Sequence, residues 1–462
     1  MDNNKKNSKI AIAGAGPVGA LLGVMLAKKG HKVDIFESRP DSRQTSIYQG
    51  KSINLALSDR GWLALEAIGI ADEIKAHAIP MYCRVMHDLE GKITKQAYGK
   101  DNQAIWSVSR SGINEQLISL AEKEENCHVH FEHHLTGLDF DTCESQFNHN
   151  GDTVRDQADI VIGADGAFSK VRRLAQELPK KRISYSLDYM PTSYMELSFP
   201  AGPNGEHPME KNALHIWPRK NFMLIALPNP DGSFTGTLFM DHEGELSFAS
   251  LNSRDKVQAF FDTYFADALE LLDNPVDDFM SKTPSPLCLV HIYPWLVNDK
   301  VALIGDAAHA MVPFYGQGMN CGFEDCRVLN ELESQFETWP EILQAYQAAR
   351  KENGDAIIEL AQRNFVEMSE LSADPMFLLR KKIEAKFHEQ HPELWVPLYS
   401  MVTFSPHIPY ATALKTGDLQ KAIMDEIMAI ESIESDWDQD YVYDLLYKLA
   451  VEKLEPAKKE SN

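Results

Sequence analysis

The start of the chain alternates between short apolar runs and one longer amphipathic stretch. Residues 9–13 (Lys-Ile-Ala-Ile-Ala) and 32–37 (Lys-Val-Asp-Ile-Phe-Glu) are apolar runs typical of buried strands. Between them, residues 17–29 have an apolar face with helical spacing, and Gly30 follows as a helix-ending residue. This order predicts a strand–helix–strand unit with parallel strands.

A glycine motif, Gly-Ala-Gly-Pro-Val-Gly at residues 14–19, lies between the first strand and the helix. In such a unit Gly14 makes the tight turn, Gly16 lets the backbone approach a pyrophosphate, and Gly19 lets helix and strand pack closely. The helix N-terminus favours the anion, and Glu37 stands where a carboxylate accepts the hydroxyls of a ribose. The motif predicts a dinucleotide site and leaves the dinucleotide open.

The rest of the chain changes pattern twice. Residues 82–98 predict a hairpin, and 179–296 contain several strand candidates divided by turn signals, whereas the pattern from about residue 351 onward is helical. Together these patterns predict an α/β protein, α+β overall. A Rossmann-like domain would be interrupted by a sheet-rich insert and followed by helices.

Composition narrows the function. The chain has 462 residues, 44% of them hydrophobic, and a formal net charge of −23, which argues against nucleic acid or an anionic membrane as partner. No run of about 20 apolar residues occurs that could cross a bilayer, and the six cysteines form no CxxC pair. We expect a cytoplasmic protein with reduced thiols, a monomer or weak homodimer. An anionic ligand needs a local positive patch, for which Arg84, Arg110 and residues 170–173 are candidates.

A histidine-rich segment at residues 127–134 invites a metal interpretation. Its apolar residues alternate with histidines as in an ordinary half-buried strand, and Cys321 and Cys326 are not spaced as zinc ligands usually are. We therefore predict no metal site.

Two later segments indicate which dinucleotide binds. Apolar runs end in Gly-Ala-Asp-Gly at residues 163–166 and in Gly-Asp-Ala-Ala-His at 305–309, and both segments resemble motifs of the flavin-dependent aromatic hydroxylases with one nucleotide-binding domain. The resemblance implies tightly bound, non-covalent FAD, with Asp306 on its ribityl chain. Either segment alone could be an unrelated strand that ends in a turn.

Three further segments, at residues 106–114, 313–320 and 362–368, are similar to the kynurenine 3-monooxygenase family, and the likeness extends to about residue 405. It implies a soluble, bacterial-type enzyme that hydroxylates L-kynurenine to 3-hydroxykynurenine, using NADPH and O₂ through a C4a-hydroperoxyflavin. The position after Phe314 varies in that family and is Tyr315 here, so we assign it no proton-transfer role. Because the ring amine of kynurenine already activates the ortho carbon, we expect no catalytic general base.

The resemblance also implies site residues. The substrate's amino acid end would be held by Arg84, Tyr98, Asn364 and Tyr399. The pocket wall would include Phe314, Met368, Leu214, Ile225, Leu227 and Phe239. The cofactor would be bound by Gly14, Gly16, Pro17, Val18, Gly19, Glu37, Arg39, Ala56, Arg110, Leu135, Asp165, Asp306, Gly318, Met319 and Asn320. Residues 316–320 would open a helix directed at the flavin.

Physical reasoning supports part of this set. Arg84 and Tyr98 fall on neighbouring strands of the predicted hairpin, and a guanidinium donates two parallel hydrogen bonds to a carboxylate. Without the resemblance, a surface arginine paired with any acid is the simpler interpretation. The strand residues Leu214, Ile225, Leu227 and Phe239 could nearly as well form plain sheet core.

The expected domain limits follow from the same patterns. They are 1–73, 105–178 and 297–350 for the FAD-binding domain, 74–104 and 179–296 for the substrate-binding sheet domain, and 351–462 for the C-terminal helical region. Two alternatives stay open: a related FAD hydroxylase that acts on another aromatic acid, and a non-oxygenating flavin reductase or flavin-binding module.

Overall fold

The computed structural model of the protein describes residues 7–44, 54–99, 103–179, 181–368 and 374–460. Its strands, in chain order, are β1 (Lys9–Ala13), β2 (Lys32–Phe36), β3 (Asn54–Leu57), β4 (Ile79–Met81), β5 (Cys83–His87), β6 (Ile93–Ala97), β7 (Ile105–Ser109), β8 (Cys127–His130), β9 (His134–Leu138), β10 (Glu144–His149), β11 (Asp152–Gln157), β12 (Ile160–Gly163), β13 (Ser184–Phe199), β14 (Ala213–Arg219), β15 (Phe222–Pro228), β16 (Phe234–Asp241), β17 (Ser285–Tyr293), β18 (Leu296–Val297) and β19 (Val301–Leu303).

Helices separate these strands and continue after them. In chain order they are α1 (Pro17–Lys28), α2 (Asp59–Glu66), α3 (Ala71–Lys75), α4 (Arg110–Ala121), α5 (Lys170–Gln176), α6 (Arg254–Tyr264), α7 (Ala266–Leu269), α8 (Pro275–Ser281), α9 (Asp306–His309), α10 (Gly318–Gln335), α11 (Trp339–Val366), α12 (Pro375–Gln390), α13 (Leu398–Thr403), α14 (Tyr410–Met428), α15 (Ile433–Asp436) and α16 (Asp440–Glu460). A short 3₁₀ helix covers Pro313–Tyr315.

A six-stranded sheet with the order β18-β19-β12-β1-β2-β8 organises the nucleotide-binding side. Its neighbours are parallel except for the antiparallel edge strand β18. The apolar runs predicted from the sequence form its buried strands, as Ile10, Ile12 and Ile162 show with no exposed surface. The carboxyl ends of β19, β12, β1 and β2 lie side by side, and ligands bind at such an edge of an open parallel sheet.

A seven-stranded sheet with the order β17-β13-β16-β15-β14-β5-β6 forms the second layer. Side chains alternate between its two faces, as the pleat requires. On β15, Leu224 packs with α6 to α8 on one face, whereas Ile225 and Leu227 belong to a second cluster on the other. That second cluster also contains residues of α11, α13 and α14, so the C-terminal helices cover this face of the sheet.

The predicted fold class is confirmed: parallel and antiparallel sheets combine with helices in an α/β arrangement. The domain limits stay a prediction, and α11 passes through residue 350, so a limit there would divide one helix. Among the described residues, no helix has the length and apolarity that crossing a membrane requires.

Candidate FAD and substrate site

The three glycine-containing motifs meet at one sheet edge. Gly14 follows β1 with φ +102°, and a Cβ there would lie 2.5 Å from the carbonyl oxygen of Ala164, which follows β12. At Gly19 a Cβ would lie 2.0 Å from the carbonyl oxygen of Gly14, so glycine is required for close packing of helix and turn. At Gly305, which follows β19, an added Cβ would lie 3.2 Å from the side chain of Val18 in α1.

Gly16 differs from these tight glycines. An added Cβ would meet no atom of the described part of the chain within 4 Å, and Gly16 precedes Pro17, the first residue of α1. Among the described residues no side chain caps this helix N-terminus, which leaves N–H donors and the positive end of the helix dipole for an anion. Open space and unused donors at this point fit a pyrophosphate.

Glu37 lies after β2 and lines a cavity of about 210 Å³. Its carboxylate accepts hydrogen bonds from the N–H of Ala15 (3.0 Å), from the N–H of Arg39 (2.9 Å) and from Arg39 Nε (2.8 Å). Burial opposes ionisation of Glu37, but Arg39 outweighs it and lowers the pKa. The cavity is lined by Ala15, Gly16, Pro17, Glu37, Arg39, Pro40, Ser42, Arg110, Ser111, Asn114, Ile118, Phe131, Tyr194 and Glu196.

Five of the predicted cofactor residues therefore share one cavity. Tyr194 and Glu196 of β13 also line it, and sequence reasoning missed them, because nothing in the pattern of β13 distinguishes them from other strand residues. Leu135 of β9 packs instead against the apolar core of the six-stranded sheet.

The two acidic motif residues differ in their surroundings. Asp165 is partly buried, and its Oδ2 accepts the N–H groups of Lys170 (2.6 Å) and Val171 (3.0 Å) at the start of α5. Burial raises the pKa of Asp165. These hydrogen bonds connect the turn after β12 to the start of α5. Asp306 begins α9 and is exposed, so its carboxylate is accessible to a ligand at the carboxyl end of β19.

Helix α10 begins with Gly318, Met319 and Asn320, as the sequence predicted for residues opening a helix. The Asn320 side chain is fully buried: its Nδ2 donates to the carbonyls of Ala56 (2.8 Å) and Gly316 (2.7 Å), and its Oδ1 accepts the N–H of Ser58 (2.9 Å). The side chain therefore joins the helix start to β3. At a helix start the backbone N–H groups are the donors left for a cofactor.

The hairpin places Arg84 and Tyr98 as expected. β5 and β6 are antiparallel with Arg84 opposite Gln96, and Gly91 in the turn has φ +76°. The Arg84 guanidinium carbon lies 5.3 Å from the ring centroid of Tyr98 and 4.7 Å from that of Tyr399. Three rings form a stack, because Tyr399 lies parallel to both Tyr98 (5.5 Å, 14°) and Tyr315 (5.4 Å, 13°).

This corner contains unsatisfied polar atoms. Arg84 Nε and Tyr98 Oη are buried without a hydrogen-bond partner among the described residues. Burial by itself lowers the pKa of Arg84, but Tyr399, Tyr98 and Glu367 outweigh it and raise the pKa, so the guanidinium is a cation. Burial raises the pKa of Tyr98 and of Tyr399, which keeps both phenols neutral. Donors of this kind beside a buried cation are chemically suited to a carboxylate acceptor.

Asn364 and Met368 meet at the end of α11. Asn364 is buried, and its Nδ2 donates to the Phe314 carbonyl (2.8 Å) and to Met368 Sδ (3.3 Å). The Asn364 amide thereby fixes the 3₁₀ helix. The predicted wall residues lie in the same buried cluster, namely Leu214, Leu227, Phe239, Phe314 and Met368, with Ile225 packed against it.

A buried charge network was not predicted. His309 Nε2 contacts Asp325 Oδ2 (2.6 Å), and Arg350 binds Asp325 Oδ1 (2.6 Å) and Glu324 Oε2 (2.7 Å). Cys321, His309 and Asp325 lie close enough to share a metal ion. However, an Arg350 nitrogen lies 3.4 Å from Cys321 Sγ, so two of the three groups already face a cation. Of these residues, only His309 belongs to a motif singled out in the sequence.

Comparison with known proteins agrees with this site. Residues 7–230 and 292–361 match the family described as FAD binding domain. Among solved structures, 2-methyl-3-hydroxypyridine-5-carboxylic acid oxygenase superposes with a TM-score of 0.64 at 18% identity, covering 78% of this chain and 93% of that chain. Pseudomonas aeruginosa PqsL gives a TM-score of 0.62 at 18% identity, covering 79% and 97%. Fold, site and family model together define an FAD-binding protein.

Sequence relatives give the family. Kynurenine 3-monooxygenase of Christiangramia forsetii is 46% identical over 448 residues, covering 96% of this chain and 99% of the relative. The enzymes of that name from Myxococcus xanthus (41%, covering 92% of each chain) and Anopheles gambiae (42%, covering 92% and 88%) are similar as well. The chain belongs to the kynurenine 3-monooxygenase family.

Proposed function

We propose that the protein hydroxylates L-kynurenine to 3-hydroxykynurenine with NADPH and O₂. The observation that supports this most is a pair of buried donors, Arg84 Nε and Tyr98 Oη, which have no hydrogen-bond partner among the described residues and lie at the edge of a buried apolar and aromatic cluster. A substrate with a carboxylate at one end and an aromatic ring at the other satisfies both requirements. Kynurenine, the substrate in the relatives' name, has this shape.

The chain's residues would act by binding and orienting. Arg84 would take the substrate carboxylate, because a buried guanidinium forms charge-assisted hydrogen bonds with it. Tyr98 would donate its unused hydroxyl, and Tyr399 would hold the guanidinium through its ring face. Phe314, Met368 and Phe239 would enclose the aromatic ring and exclude water.

FAD would be held at the sheet edge by the turn at Gly16, the carboxylates of Glu37 and Asp306, and the N-terminus of α10. When bound, FAD supplies the redox chemistry that activates O₂, and the protein supplies orientation and electrostatics. The N–H donors of α10 would stabilise negative charge on the ring system. The ring amine of kynurenine makes its ortho carbon electron-rich, so no side chain is assigned as a general base.

We also propose that the enzyme works in the cytoplasm as a monomer or weak homodimer, free of nucleic acid and membrane. The net charge of −23 supports this proposal, since it repels other polyanions. Light scattering of the purified protein over a concentration series tests the oligomeric state.

A substrate panel tests the function. Purified FAD-loaded protein is given NADPH and O₂ with L-kynurenine, anthranilate, 4-hydroxybenzoate or no addition, and NADPH use, peroxide and product are measured. We expect coupled hydroxylation with L-kynurenine only. Coupled product from another aromatic acid would make that acid the substrate, and anaerobic turnover of an added compound would indicate a reductase.

A further inference from the structure

Arg60 of α2 is a buried cation that the proposed chemistry does not use. It is 1% exposed, and its guanidinium binds the end of α13: Nε donates to the Val402 carbonyl (2.8 Å), and one terminal nitrogen approaches the Met401 carbonyl (3.3 Å). The same nitrogen donates to the Ile408 carbonyl. Carbonyls at a helix C-terminus lack partners within the helix and favour a cation. Arg60 therefore holds residues 401–408 in place.

The other side of the Arg60 guanidinium binds α10. Its second terminal nitrogen lies 2.8 Å from Glu324 Oε1, and Glu324 is buried and also paired with Arg350 of α11. A planar guanidinium can serve carbonyls on one side and a carboxylate on the other, which a lysine ammonium cannot do with the same geometry. One residue thus bridges α13 and the helix that begins at the proposed flavin edge.

A second contact lies next to this bridge. The Arg60 guanidinium carbon is 3.9 Å from the ring centroid of Tyr410, and the Tyr410 hydroxyl donates to Gln317 Oε1 (2.9 Å). Gln317 directly precedes α10 and is buried. The start of α14 and the start of α10 are therefore linked through Arg60 and its aromatic neighbour.

The short helix α13 contains Tyr399 in its first turn. Tyr399 stacks between Tyr98 and Tyr315 and lies against the Arg84 guanidinium. A six-residue helix has little stability of its own, so its position depends on what binds its ends. A shift of α13 would move the Tyr399 ring and, with it, the corner that receives the substrate carboxylate.

We propose that Arg60 is a positioning residue that ties the substrate corner to the flavin-binding helix and so keeps oxygen transfer coupled to NADPH oxidation. This inference rests on the proposed function. Loss of the bridge would let the substrate ring sit at a wrong distance from the flavin, and small misplacements have large effects on such reactions. Reduced flavin would then be oxidised by O₂, and hydrogen peroxide would form in place of the hydroxylated product.

The test compares Arg60→Lys and Arg60→Met with a matched control, Arg219→Lys. Arg219 is also a buried arginine: it donates to the carbonyls of Tyr264 (2.7 Å) and His87 (2.8 Å) and lies 5.3 Å from the ring of Phe265. It packs in the seven-stranded sheet rather than between α10 and α13. Each FAD-loaded protein is measured for flavin content, hydrogen exchange of residues 398–409, and product formed per NADPH with L-kynurenine.

In Arg60→Lys we expect retained FAD, at least about fivefold faster exchange in residues 398–409, and a several-fold fall in product per NADPH with matching peroxide. Arg219→Lys should keep wild-type values for both readouts. Unchanged exchange or coupling in Arg60→Lys, or a fall explained by lost FAD, would overturn the proposal. If wild-type protein makes no product from L-kynurenine, the proposed function fails, and unchanged exchange in Arg60→Lys would then refute the bridge by itself.

Discussion

The guanidinium of Arg84 lies 4.7 Å from the ring centroid of Tyr399, a residue more than three hundred positions later in the chain. A hairpin strand and a C-terminal helix thus form this buried corner together. The cation is already held by aromatic faces, while its Nε is left for a ligand. If Arg84 binds the substrate carboxylate as proposed, its guanidinium needs little rearrangement to do so.

Arg84→Ala should raise KM for L-kynurenine about tenfold to a hundredfold, the range expected for loss of a hydrogen-bonded charge. Product per NADPH should fall as well, because the bound ring loses its anchor. Steady-state kinetics with parallel product and peroxide assays measure both. Arg254→Ala, at an exposed arginine paired with Asp277, is the control and should behave as wild type. Coupled turnover with an unchanged KM in Arg84→Ala would contradict the assigned role.

Tyr98→Phe removes a buried hydroxyl that has no partner among the described residues. Since an unsatisfied buried polar group costs about 1–3 kcal/mol, the substrate-free protein should be as stable as wild type or more stable. KM for L-kynurenine should nevertheless rise about tenfold, the effect of one lost hydrogen bond. Urea unfolding measures the stability, and steady-state kinetics measure KM.

Tyr443→Phe is the matched control, because the Tyr443 hydroxyl is also buried without a partner in the described part of the chain, in the separate cluster of α12, α14 and α16. It should show the same stability effect with no change in KM. Equal KM values in both variants would show that the Tyr98 hydroxyl does not bind the substrate.

Gly16→Ala should separate folding from cofactor binding. The backbone at Gly16 (φ −66°, ψ 175°) suits alanine, and the added methyl group meets no protein atom within 4 Å. The FAD-free protein should keep its thermal stability, while affinity for FAD falls at least about tenfold, because the methyl occupies the approach of the pyrophosphate. Gly19→Ala should instead destabilise the FAD-free protein, since its Cβ would lie 2.0 Å from the Gly14 carbonyl oxygen. Full FAD affinity in Gly16→Ala would place the pyrophosphate elsewhere.

The buried pair His309 and Asp325 should give stability a defined pH dependence. Burial opposes the charged form of His309, but Cys321 and Asp325 outweigh it and raise its pKa well above the usual value. Because the pKa is higher in the folded state, the stabilisation by His309 is complete below the unfolded pKa of about 6.5. As the pH rises from there through the folded pKa, this stabilisation is lost. The free energy of unfolding then falls by up to about 1.4 kcal/mol per pH unit.

In His309→Gln the free energy of unfolding should fall less steeply than in the wild type above about pH 6.5, the pKa of an unperturbed histidine. The Asp325 carboxyl has a lowered pKa, so its contribution is lost only at acid pH and does not mask the effect. Urea unfolding across neutral to alkaline pH measures the difference between the two proteins. Parallel stability curves would show that His309 is neutral in the folded protein.

The sequence predicted local features well. The strand and helix of the first motif, the hairpin with its turn at Gly91, and the strand positions of Leu214 and Phe239 all follow from short-range pattern and are found in the structure. Such features depend on spacing and turn chemistry within a few residues, which one sequence displays directly.

Long-range pairings could not be predicted in the same way. Nothing near Arg60 indicates that its partners lie at Glu324 and Val402, and nothing near Asn320 indicates that its side chain joins α10 to β3. A buried ion pair requires two complementary side chains that only the tertiary fold brings together. The roles of all the predicted residues in cofactor and substrate binding stay predictions.

The most direct test of the account uses isotopically labelled O₂. FAD-loaded protein is incubated with NADPH, L-kynurenine and the labelled gas, and the product is analysed by mass spectrometry with NADPH counted in parallel. We expect 3-hydroxykynurenine with one labelled oxygen atom, formed in near-equal amount to the NADPH consumed. Peroxide without hydroxylated product, or a product whose oxygen comes from water, would contradict it.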